Sequence, residues 1–255
     1  MIKLAHEGET DKPVHIGEHL TKEESDKLRQ LLEEYRDCFA WSYEDLRGIE
    51  ESIVVHTIPL RADAVPVTQR PYRTNPKIAQ TIQEELRKLL DVGFIYEIEH
   101  SDWVSPIVCV PKKNGKLRVC VDFKKLNACT IKDHYPLPHT ETILERLAGH
   151  EAYSFLDGFS GYNQVKINPA DQHKTTFATE WGTYAYRVMP FGLSNAPGTF
   201  QRMMCHAFKD FLRKFLEVFM DDFCVYSTQK DHLNKLRLVL ERCQLYRIAL
   251  NMAKF

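Results

Sequence analysis

Phe215-Leu-Glu-Val-Phe219-Met220-Asp221-Asp222-Phe-Cys-Val-Tyr226 is the stretch on which the reading of the chain turns. Two adjacent acids sit between runs of apolar and β-branched residues, a pattern that predicts a strand, a tight turn holding the acids and a returning strand. A two-residue turn selected for folding alone favours Asn-Gly or Asp-Gly, because its residues need positive φ. Asp-Asp is a poor turn and a good metal site. Carboxylate oxygens are the ligands of hard divalent cations, and several converging on one point hold the ion pair that clamps an in-line phosphoryl displacement. That chemistry calls for a third carboxylate elsewhere in the chain.

Asp157 answers the requirement, in Tyr153-Ser-Phe-Leu-Asp157-Gly158-Phe-Ser-Gly161-Tyr162. An apolar strand delivers the acid at its C-terminal end, and Gly158 and Gly161 let the backbone turn tightly beside a ligand. Taken singly, such acids mark solvated turns or caps. Their company changes the balance.

Leu117-Arg118-Val-Cys-Val-Asp-Phe-Lys-Lys-Leu-Asn127, the Asp157 segment, Met189-Pro190-Phe191-Gly192-Leu-Ser-Asn-Ala-Pro-Gly-Thr-Phe-Gln201 and Phe219–Asp222 stand in the order and approximate spacing of a reverse transcriptase. From about Ile53 to the C-terminus the chain resembles the reverse transcriptase of gypsy-type LTR retrotransposons, plant ones in particular. The resemblance implies an α+β fold with the fingers and palm of a right-hand polymerase. The palm would be a split β-α-β, ferredoxin-like antiparallel sheet with helices on one face. Residues 1–60 form an acidic N-terminal extension with one amphipathic helix, 61–135 and 163–195 the fingers, and 136–162 and 196–255 the palm.

The resemblance also assigns roles. Asp157, Asp221 and Asp222 are the catalytic carboxylates, holding two Mg²⁺ ions (Mn²⁺ as a substitute), with the backbone carbonyl of Gly158 as a further ligand. Lys112 or Lys113 and Arg118 contact the triphosphate of a dNTP. Tyr162 blocks a ribose 2′-hydroxyl, and Phe191, Gly192 and Met220 line the nucleotide pocket. The partners are an RNA or DNA template with its primer. Family members continue into a primer-gripping hairpin, a thumb, a ribonuclease H and an integrase, and a protease normally precedes them. None of these is in the sequence, which reads as a polyprotein fragment without a thumb. Phe219 replaces the Tyr of many retroviral counterparts. Three other readings stand beside this one: a palm polymerase copying RNA into RNA, against which Tyr162 and Met-Pro-Phe-Gly-Leu193 argue; an inactive nucleic-acid-binding fragment; and an interaction protein.

Composition is that of an ordinary globular protein, 44% hydrophobic and 27% charged over 255 residues, enough for one large domain or two small ones. The net charge of −1 hides a division: residues 1–60 carry 7 Lys+Arg against 14 Asp+Glu, while residues 61–255 carry 27 against 21. The motif-bearing part is the basic one, the sense expected for neutralising phosphates. Seven cysteines, an odd number without a Cys-x-x-Cys, predict buried free thiols in a reducing compartment. No signal peptide or membrane-spanning run is evident, and an intracellular, soluble protein is expected.

In chain order, His6, His15 and His19 match no common metal spacing, and the first 20 residues read as a loose leader. Thr21-Lys-Glu-Glu24 is a capping box opening an amphipathic helix to about Asp37. Ile53–Leu60 reads as a strand, and Asn75-Pro76 opens a helix with a stripe of Ile78, Ile82, Leu86 and Leu89 that Gly93 ends. Val104–Val110 and Leu117–Phe123 form a hairpin about the basic Lys112-Lys-Asn-Gly-Lys116. A short helix spans Leu137–Leu147, strands cover Gln164–Ile167, Thr175–Ala178 and Tyr184–Val188 with a turn at Asn168-Pro169, and Pro197-Gly198 begins an apolar helix. Leu233, Leu236, Leu240 and Cys243 mark a last one.

Overall fold

The computed structural model describes residues 2–3, 13–14, 16–17, 20–111 and 117–255. Strands β1 (Ile2–Lys3) and β2 (Pro13–Val14) pair antiparallel and precede α1 (Lys22–Glu34). The Thr21 hydroxyl accepts from the Glu24 amide at 3.3 Å and the Glu24 carboxylate accepts from the Thr21 amide at 2.9 Å, a reciprocal box that satisfies two orphan donors. β3 (Phe39–Ala40) and β4 (Val55–His56) follow. β4 is all that forms of the strand expected over Ile53–Leu60, because the Ile58 amide donates to the Asp171 carboxylate at 2.8 Å and Pro59 has no N–H to give a ladder.

α2 (Pro76–Asp91) has proline at its first position and buries Ile82, Leu86 and Leu89. Next come β5 (Ile95–Glu97), β6 (Ser105–Pro111), β7 (Leu117–Val121), α3 (Lys124–Cys129) and α4 (Thr140–Leu147). α4 starts three residues later than expected, past Pro136 and Pro138, each of which pushes its preceding residue out of helical backbone. β8 (Ala152–Asp157) and β9 (Lys166–Ile167) lead to α5 (Pro169–Gln172). Asn168-Pro169 is thus a helix start and not a simple turn: Asn168 Oδ1 caps the Ala170 amide at 3.0 Å. The chain finishes with β10 (Phe177–Thr179), β11 (Gly182–Tyr186), α6 (Ala196–Ala207), β12 (Leu216–Phe219), β13 (Asp222–Ser227), α7 (His232–Tyr246) and β14 (Leu250–Asn251).

These elements gather into two units. Unit 1 comprises Met1–Ile53, Pro136–Gln164 and Phe200–Phe255. Its sheet has the order β12-β13-β8, both outer strands antiparallel to β13. β8 and β12 therefore run parallel with β13 between them, joined by a long crossover containing α6, which is a split β-α-β. On the sheet face bearing Phe223, Phe208 meets that ring edge-on at 5.5 Å, and His232 of α7 bridges Ser154 and Ser227 at 2.8 and 3.0 Å. The opposite face carries Asp157, Asp222 and Glu217, where Arg146 of α4 reaches Glu217 at 3.4 Å. α1 packs on α7, with Tyr35 donating to Glu241 at 3.2 Å and Glu34 pairing with Arg237 at 2.5 Å.

Unit 2 comprises Val54–Tyr135 and Val165–Thr199. Its five strands have the order β5-β11-β10-β6-β7, with β10 and β6 parallel and the other pairs antiparallel. Phe177, Ile95 and Ala185 are buried in it. β6 and β7 pair from Ile107↔Val121 to Pro111↔Leu117, so the expected hairpin exists while its basic tip, Lys112 to Lys116, lies outside the described residues. His56 is 1% exposed, its Nδ1 lies 3.0 Å from the Thr199 hydroxyl, and burial depresses its pKa to about 4. All seven cysteines are free; Cys38, Cys224 and Cys243 are buried and the other four half-buried.

Candidate active site

The register of unit 1 brings the acids together. Asp157 ends β8 directly opposite Asp222, the first residue of β13, and Phe219 pairs with Asp222 across the hairpin. The two-residue turn is therefore Met220-Asp221, not Asp221-Asp222: one acid lies in the turn and the other begins the strand. Met220 has φ +56°, which a side chain tolerates poorly. Contacts from elsewhere hold it there. Gln201, 1% exposed on α6, accepts from the Met220 amide through Oε1 at 2.7 Å and donates through Nε2 to the Val218 carbonyl at 3.1 Å. The Gly158 amide donates to the Asp221 carbonyl at 2.6 Å. At Gly161 a Cβ would lie 3.0 Å from Asp221 Cβ and 3.2 Å from the Phe200 ring, so glycine is what lets the turn close over this segment.

The acids feel one another. Asp157 is 8% exposed. The Asp222 carboxyl is pushed up by burial and then by repulsion from Asp221 and Asp157. Tyr162, 7% exposed, packs edge-on to Phe200 at 5.5 Å and directs its hydroxyl at Met220 Sδ, 3.6 Å away; burial and the Asp221 charge raise its pKa to about 12. Lys254 pairs with Asp157 Oδ2 at 2.8 Å, and Asn251 Nδ2 donates to the same oxygen at 3.2 Å. As the side chains stand, no three His, Cys, Asp or Glu among the described residues group tightly enough to hold a metal ion. The donor set nevertheless fits one. Three oxygen donors of like charge on neighbouring backbone positions repel each other, and a hard divalent cation relieves that repulsion after side-chain rotation.

Unit 2 places the other expected residues. Arg118 projects from β7 with its guanidinium 5.5 Å from the centre of the Phe191 ring, and Phe191 is 40% exposed. Gly192 has φ +100°, and its carbonyl accepts from Asn127 Nδ2 at 2.7 Å. Lys112 and Lys113 lie outside the described residues.

Sequence reasoning passed over Gln201, Asn251 and Lys254. Gln201 closed a quoted motif and interrupts an apolar helix face, a signal that was there to be used. Asn251 and Lys254 had none, since only the chain's return to β8 gives them a role. Asn127 and Asn195, also within quoted motifs, tie loops of unit 2: Asn127 Oδ1 accepts from the Ser194 amide at 2.8 Å and Asn195 Nδ2 donates to the Ile131 carbonyl at 2.8 Å.

Residues 110–255 match the family model described as reverse transcriptase (RNA-dependent DNA polymerase). The chain belongs to the reverse transcriptase family. This reverse transcriptase domain is 33% identical over 235 residues to the retrovirus-related Pol polyprotein from transposon 297 of Drosophila melanogaster, covering 88% of the chain and 21% of that polyprotein. It is 39% identical over 134 residues to an RNA-directed DNA polymerase homolog of Oenothera berteroana, covering 51% of the chain and 94% of that protein. The chain thus spans about a fifth of the length of the transposon polyprotein it matches. The foamy viral protease-reverse transcriptase in complex with an RNA/DNA hybrid superimposes with a TM-score of 0.82 at 22% identity, over 96% of this chain and 35% of that one. That likeness establishes the α+β fold of reverse transcriptase fingers and palm. No helix among the described residues is long and apolar enough to cross a membrane.

Proposed function

We propose that this domain performs RNA-directed DNA synthesis, adding deoxynucleotides from dNTPs to a primer 3′-hydroxyl on an RNA or DNA template. The observation that carries the reading is the alignment of Asp222 with Asp157 across two strands, with Asp221 in the adjoining turn, in a chain of this family. A pair of divalent ions, Mg²⁺ with Mn²⁺ as substitute, supplies Lewis-acid activation of the hydroxyl and neutralises triphosphate charge when bound. Asp157, Asp221 and Asp222 hold the ions, with the Gly158 carbonyl as a further ligand. Tyr162 sets its ring against the ribose 2′-position and so selects deoxynucleotides; its fixed place between Phe200 and Met220 supports that role. Arg118, with Lys112 and Lys113, contacts the triphosphate, while Phe191, Gly192 and Met220 line the nucleotide pocket. Unit 2 serves as fingers and unit 1 as palm, with the acidic N-terminal segment packed into the palm.

The domain is further read as gypsy-type and plant-like. Met-Pro-Phe-Gly-Leu193 and Phe219 support this, as does the identity to the Oenothera protein.

Primer extension on poly(rA)/oligo(dT) with Mg²⁺ tests the assignment: Asp221→Asn is expected to lose at least about a thousandfold in rate. A wild-type signal no higher than that of Asp221→Asn overturns it in favour of an inactive nucleic-acid-binding fragment. The present engagement of Asp157 by Lys254 is the observation that favours this second reading. Comparing dNTP with NTP incorporation in Tyr162→Ala tests sugar selection.

A further inference from the structure

Asp157 is already partnered by a cation of the chain's own. Lys254 Nζ lies 2.8 Å from Oδ2, with the lysine side chain 63% exposed and that of Asp157 11% exposed. The asymmetry matters: the carboxylate is the buried member and needs a positive partner, whereas the ammonium can return to water at little cost. Nor is the lysine on a loose tail. β14 pairs in parallel with β3, Leu250 bridges to Gly158, and Asn251 caps the final turn by accepting from the Ala253 amide at 3.2 Å while its amide group donates to Asp157. The turn that carries Lys254 is thereby indexed to the acid it neutralises.

We propose that Lys254 is an internal counter-ion of the carboxylate cluster: its ammonium holds the place on Asp157 that a divalent cation takes, and ion binding is an exchange in which the lysine is released. This rests on the reading of the three acids as a metal site. Asn251 keeps the carboxylate oriented during the exchange. The lysine is a positioning residue in the resting site, and the affinity for divalent ions is set lower than the acids alone would give, because each ion displaces a cation already in place.

Mn²⁺ titration followed by the electron paramagnetic resonance of the free ion, on wild type, Lys254→Met, Lys254→Arg and Asp157→Asn, tests the exchange. Lys254→Met is expected to bind Mn²⁺ about two- to fivefold more tightly, the factor corresponding to a partly exposed ion pair, with Lys254→Arg close to wild type. Mn²⁺ should also speed acylation of wild-type Lys254 by an N-hydroxysuccinimide ester, read by peptide mass spectrometry. Unchanged or weaker binding in Lys254→Met, or acylation indifferent to Mn²⁺, overturns the exchange when Asp157→Asn loses affinity. If Asp157→Asn binds Mn²⁺ as wild type does, the metal-site reading itself falls.

Discussion

Two hairpins of the molecule, β6–β7 and β12–β13, are built on opposite terms. β6–β7 is joined through a stretch outside the described residues whose sequence carries Asn114-Gly115, a pair with a strong intrinsic preference for hairpin turns, and its strands are partly exposed, with Val110 at 48%. β12–β13 turns through Met220-Asp221, which has no such preference, and most of its strand residues are buried. Where local preference is absent, remote groups specify the conformation: Gln201 from α6, and the Gly158–Gly161 segment behind the turn. Strain has been concentrated at the place where three acids must meet, and the surrounding contacts over-determine it. The charges differ as well. Unit 1 crowds carboxylates, while unit 2 buries the neutral His56.

Acidification should separate the units most strongly. His56 has a folded pKa depressed to about 4 against an ordinary 6.5, so the stability it contributes is intact above pH 6.5 and lost as pH falls towards 4. The loss is on the order of 3 kcal/mol, and urea midpoints against pH should flatten in His56→Gln over this window. The Asp222 carboxyl works in the other sense, since its raised pKa makes the repulsion fade as it protonates.

Gly161→Val comes next, costing about 2–3 kcal/mol by urea denaturation because the new methyls meet Phe200 and Asp221. Gln201→Leu keeps the volume and strands the Met220 amide and Val218 carbonyl, at about 2 kcal/mol, whereas Val110→Ala on the exposed β6 should cost less than about 1 kcal/mol. Equal costs in the two hairpins would erase the contrast between them. Met220→Gly should be the mildest, a gain of up to about 1 kcal/mol in thermal melts, because glycine adopts positive φ without strain.

Much of this was legible beforehand. The capping box at Thr21, the proline that opens α2, the pairing of β6 with β7 and the placing of β8 beside the acidic hairpin all follow from local patterns or from the split β-α-β logic. Two differences are local: Pro136 and Pro138 delay α4, and Asn168 caps a helix where a turn is expected. The others have distant causes. The turn at Met220-Asp221 was misplaced by one residue, because its conformation is dictated by Gln201 some twenty residues away. The Ile53–Leu60 strand dwindled because Asp171 captures the Ile58 amide. Lys254 drew no attention because its relevance depends on tertiary return to β8. Period and propensity report on neighbours along the chain; these three features depend on distant partners.

The parallel pairing of Phe39 with Leu250 gives the acidic N-terminal extension an unexpected duty. A stretch that looks expendable beside the motif-bearing region clamps the strand that leads Asn251 and Lys254 to Asp157. Removing the residues up to Ala40 would cut this tether and loosen Asn251 and Lys254 beside Asp157, so a shortened version of the domain has to keep β3.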